Sequence, residues 1–124
     1  MENYRDFEAG PDPFGRKWRV IFKWMQTAIS LRMADAVDAK FIITCEDERM
    51  EKVISIRHPD LLELSAKTGR EITDPWVCRL CALHLAEMIE TWEDMDKDLV
   101  TIHPAALARH AATLRAASTA AAAR

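Results

Sequence analysis

Glycine is scarce in this chain. Three glycines among 124 residues leave no glycine-rich loop to cradle a phosphate. Cysteine is sparse too, and the three present form no dense, even-numbered framework, which argues against a secreted disulfide scaffold. No apolar run approaches the ~20 residues needed to span a bilayer. The opening residues, Met1-Glu2-Asn3-Tyr4-Arg5-Asp6, carry acids where an export signal carries bases. A cytoplasmic location is the expectation. An excess of positive charge is also missing. The net charge is −3, from 17 basic and 20 acidic residues, so nothing points to a strongly basic nucleic-acid binder. Ser30, Ser55, Ser65 and Ser118 have no nucleophile-elbow motif around them, and the carboxylates fall mainly on polar faces. No catalytic residue is assigned, and the chain reads as non-enzymatic.

What remains is enough for one modest core. Val, Ile, Leu and Phe number 28 of 124, above the ~20% below which disorder becomes the default. Residues 1–15 end in Gly10-Pro11-Asp12-Pro13-Phe14-Gly15 and predict an irregular arm. Residues 16–103 read as the globular domain. Residues 104–124 read as an Ala-rich helical tail, loosely docked or frayed, because alanine favours helix but buries little surface.

The domain predicts an α+β fold: a long N-terminal helix, a β-hairpin, two further helices and the tail. A helical wheel over 16–34 puts Trp18, Ile21, Phe22, Met25 and Ile29 opposite Arg19, Lys23, Gln26 and Ser30. The same stretch also alternates, and a sheet is the alternative. A helix is preferred because two strands need a turn, and no Gly, Pro or Asn lies between Trp18 and Asp47. From Val37 to Cys45 the period is two, and Lys52–Ile56 is a β-branched run, with 47–51 as the turn. His58-Pro59-Asp60 opens a short helix that stops near Gly69. Asp74-Pro75 opens a longer one to about Trp92. Leu99–Ile102 offers a third short strand.

Two constellations can carry function. Cys78 and Cys81 form a Cys-x-x-Cys near a helix start, with His84 one turn on. Together with Cys45, or with His58 or His103, they supply the donor types of a zinc site. Both thiols lie on the apolar side of the helix, however, where free cysteine is a small hydrophobe, so no metal or other cofactor is preferred. The basic residues Arg16, Lys17, Arg19 and Lys23, interleaved with aromatics, are candidates for binding a protein partner. His58-Pro59-Asp60 is similar to the tripeptide of J-domain co-chaperones. That family has a basic helix before it; here a strand precedes it, and it is read as a helix start. The leading expectation is a small cytoplasmic interaction or adaptor protein that binds another protein or itself, as in a homodimer. The alternative is a metal- or thiol-dependent module built on Cys78, Cys81 and His84.

Overall fold

Alternating β-branched and aromatic residues build the sheet. The period-two segment forms β3 (Ala36–Cys45), and the run after it lies in β4 (Glu48–Arg57). Val37, Ala39, Phe41 and Ile43 face inward, opposite Ile56, Ile54, Lys52 and Met50. The turn is tighter than the charged run 47–51 predicts. Cys45 pairs with Glu48, leaving only Glu46 and Asp47 between the strands, and Glu46 takes a φ of 53°.

The computed structural model describes residues 3–28 and 35–122. Within them the helix predicted over 16–34 does not exist. Trp18–Ala28 is a strand, β2, antiparallel to β3. It also pairs with β1 (Asp6–Ala9), which lies inside the segment predicted as an irregular arm. The wheel misleads for a physical reason. The register shifts between Phe22 and Trp24, so Lys23 is an extra, bulged residue. Before the bulge Trp18, Val20 and Phe22 point inward. After it Met25 points inward and Trp24 outward. Trp18, Phe22 and Met25 are thus spaced i, i+4, i+7, the spacing of a helix, although the chain is extended. Residues 29–34, including Ile29, lie outside the described residues.

Among the described residues the architecture is therefore a mixed five-stranded sheet with three helices, strands first. The strand order follows the chain, β1-β2-β3-β4-β5. All pairs are antiparallel except the last. The chain leaves β4, runs through α1 (His58–Thr68) and α2 (Asp74–Thr91), and returns as β5 (Leu99–Thr101) parallel to β4. Gly69 closes α1 in the left-handed region, its N–H bonding to Ser65 O at 2.9 Å. α2 is capped by Thr73, whose hydroxyl accepts from the Trp76 N–H, with Pro75 in the first turn; Asp74 is the first helical residue rather than the cap. Trp92 ends α2 with a φ of 62°.

One sheet face carries the core. Trp18, Val20, Phe41, Ile43, Ile54 and Ile56 are fully covered, with Leu80, Leu85 and Ile89 of α2. The Ala-rich segment forms α3 (Pro104–Ala122), which packs on α2 and α1. Small Ala106 and Ala111 let it approach closely, and Leu107, His110 and Leu114 are buried in that joint, so this segment is docked over its described face. Among the described residues, no helix is long and apolar enough to cross a membrane.

Candidate functional site

Each three-residue step along an α-helix turns its side chains back by about 60°. Cys78, Cys81, His84 and Glu87 follow one another at that step along α2. Cys78 and Cys81 are buried towards the sheet, where the Cys81 thiol donates to Ile54 O at 3.8 Å. Burial pushes both thiols up, that of Cys81 strongly. Cys45 sits half-buried at the end of β3, and burial pushes its thiol up as well. By His84 the helix has turned towards α3.

There His84 meets His110. The Nδ1 of His84 lies 3.0 Å from Nε2 of His110, with the rings edge to face. Glu87 Oε2 lies 3.7 Å from each of these two nitrogens. The other Glu87 oxygen is held by the Arg109 guanidinium. Burial pushes both imidazoles down, His110 to about 4, so they are neutral at neutral pH. The Arg109 hydrogen bond holds the Glu87 carboxyl down, so it is ionised. Among the described residues, this is the one set of three His, Cys, Asp or Glu side chains whose donor atoms all lie within 4.8 Å of one another. Among the described residues, no such set includes Cys45, Cys78 or Cys81. Sequence reasoning singled out His84 for its place one turn on from the Cys-x-x-Cys pair. It missed Glu87, one of the carboxylates assigned as a group to polar faces, and His110, which stands in the Ala-rich tail.

The four basic candidates separate. Arg16 is engaged internally. Its Nε bonds Asp12 at 3.0 Å, its Nη1 bonds Glu48 at 2.9 Å, and its guanidinium lies over the rings of Phe14, Trp18 and Trp92. Asp12 organises this corner. Burial pushes its carboxyl up, but donors from Trp18 Nε1, the Arg16 and Phe14 N–H groups and the Arg16 side chain outweigh that and hold it at about 2. Lys17 and Arg19 are exposed and pair with Glu8 and Asp6. Lys23, at the bulge, makes no ion pair among the described residues.

The outer sheet face is the other candidate. The register sets Ile21 beside Ile42, and Trp24 beside Lys40, Val53 and then Leu99. Trp24 is 38% exposed and Leu99 53%, with Ile21, Ile42 and Val53 half-buried. An Arg19–Asp6 pair borders this apolar band, and Lys40, paired with Glu51, stands within it over the Trp24 ring. No family model matches the chain, and comparison with curated proteins and with solved structures gives no match, so its function is read from its own residues.

Proposed function

We propose that this chain is a small, non-enzymatic interaction protein of the cytoplasm that binds another protein across the outer face of its sheet. The observation that carries the reading is the set of outward apolar residues Ile21, Ile42, Trp24, Val53 and Leu99 on a face that, among the described residues, no helix covers. Antiparallel sheets tolerate one wet face, but that face is then normally polar. Tryptophan is enriched among the residues that dominate binding energy, and ion pairs at the edge of a band supply orientation. Lys17, Arg19 and Lys23 lie on or beside this face and are candidates for that edge. The three cysteines are unpaired, which suits a reducing compartment.

A photoreactive amino acid in place of Trp24, activated in the native cell, tests the reading. It is expected to give a defined adduct, with a second copy of the chain or with another protein. The same probe in place of Leu62, exposed on α1, is the control. Adducts at 62 but none at 24 refute the assignment of this face.

A further inference from the structure

The α2–α3 joint brings three metal-binding donor atoms together, from His84, Glu87 and His110. Distances of 3.0, 3.7 and 3.7 Å between His84 Nδ1, His110 Nε2 and Glu87 Oε2 put the point equidistant from all three about 2.0 Å from each. Zinc bonds imidazole nitrogen and carboxylate oxygen at about that length. We infer that His84, Glu87 and His110 bind a zinc ion that joins α3 to α2.

Four features of the site support this. The donor set, two imidazoles and one carboxylate, suits zinc and not calcium or magnesium, which favour oxygen. Two donors stand at i, i+3 on one helix and the third on its neighbour, so the backbone holds them without a flexible loop. Arg109 fixes the far oxygen of Glu87 and leaves the near one aimed at the imidazoles, the kind of outer contact that orients metal ligands. Two of the three donors, His84 and Glu87, line a pocket of about 190 Å³ shared with Thr91, Asp94 and His103, which gives an ion a route to them. The bond would matter to the fold. Beyond its alanines α3 buries only two leucines and His110, so a shared ion adds a strong link where apolar contact is thin.

The test uses the full chain without an affinity tag. After gel filtration it is expected to carry one equivalent of zinc, and a chelator is expected to lower its thermal midpoint. His84→Asn and His110→Gln place an amide where Nδ1 and Nε2 lie and keep most of the packing. Each, and Glu87→Gln, is expected to weaken zinc binding by more than the ~100-fold that an outer-contact change costs; Arg109→Met is expected to fall within that range. The Cys78→Ser/Cys81→Ser double variant is expected to keep its zinc. Cobalt bound to the wild-type chain is expected to show visible ligand-field bands without thiolate charge transfer, a readout independent of whether any variant folds. Failure of the wild-type chain to take up zinc overturns the inference. So does zinc retained by the His84→Asn/His110→Gln pair, or a thiolate band in the cobalt spectrum.

Discussion

Trp18 tests the strand reading and the N-terminal corner together. Its side chain is fully buried at the start of β2. The ring centroid lies 5.9 Å from that of Trp92, Arg16 stacks over it at 5.0 Å, and its indole N–H donates to Asp12 Oδ2 at 3.0 Å. Trp18→Phe keeps one aromatic ring and removes three heavy atoms, the donor nitrogen among them. The lost apolar contact is worth about 1–2 kcal/mol, and loss of a hydrogen bond to an ionised acceptor adds a similar amount, so the variant is expected to lose about 2–4 kcal/mol. Trp18→Ala is expected to lose more, about 4–5 kcal/mol, because the cavity cannot close. The phenylalanine variant also carries a pH signature. Asp12 is held at about 2 in the folded chain against 3.8 unperturbed, so its stabilisation is complete above pH ~4 and is lost as pH falls through 2. Removing a donor lets the folded carboxyl rise towards its ordinary value. The difference between wild type and variant is then constant from pH 7 to about 4 and narrows below it. Urea unfolding followed by circular dichroism at pH 7, 4 and 3 measures this. A variant within 1 kcal/mol of wild type at pH 7, or a difference that does not narrow at pH 3, refutes the argument.

Val20→Ala is expected to cost about 2–3 kcal/mol and Ile21→Ala about 1, because the strand buries the first and leaves the second half-exposed on the outer face; reversal of that order in denaturant unfolding restores the helix. Truncation after His103 is expected to abolish the cooperative thermal transition, since it strips α3 from α1 and α2; a two-state melt in the truncated chain contradicts the docking of α3. Lys52 points inward at the end of its row and donates to Met95 O and Lys97 O, both at 2.7 Å. Lys52→Met is expected to cost about 1–3 kcal/mol by leaving two carbonyls without a donor, measured as a lower urea midpoint with an unchanged slope.

The sheet was half legible. β3 and β4 follow from alternation, α1 from Gly69 and α2 from Pro75, because each signal is local and a single period holds along each element. β2 was not legible, because one bulged residue converts a period of two into an apparent period near 3.6. The sequence between β2 and β3 carries no Gly, Pro or Asn as a signal. β1 was hidden by its length: four residues, Asp6–Ala9, cannot establish a period beside a Gly- and Pro-rich run. The His84–Glu87–His110 cluster was one-third legible. A histidine on an apolar helix side is visible in sequence, and His84-x-x-Glu87 has the spacing of a one-face pair. The third member stands 26 residues on from His84 on another helix, and only the packing of α3 on α2 brings it in. The different surroundings of the four basic residues were not legible either. Arg16 looks the same as Lys17 in sequence, yet the fold commits it to Asp12, Glu48 and three aromatic rings.

The layering explains why the two candidate surfaces are independent. The sheet buries one face under α1 and α2, and α3 packs on those helices, so the stack runs sheet, helix, helix. The outer band around Trp24 lies on one side of the stack, and the His84–His110 contact lies in the joint on the other, with the apolar core between them. Groups that share no partner across a packed core perturb stability and binding nearly additively. Trp24→Glu should therefore remove the partner contact and leave zinc uptake unchanged, while His110→Gln should remove zinc and leave the adduct at position 24 unchanged. If both substitutions impair both readouts in chains that still unfold cooperatively, the surfaces are coupled through α1 and α2, the two helices in contact with both the sheet and α3.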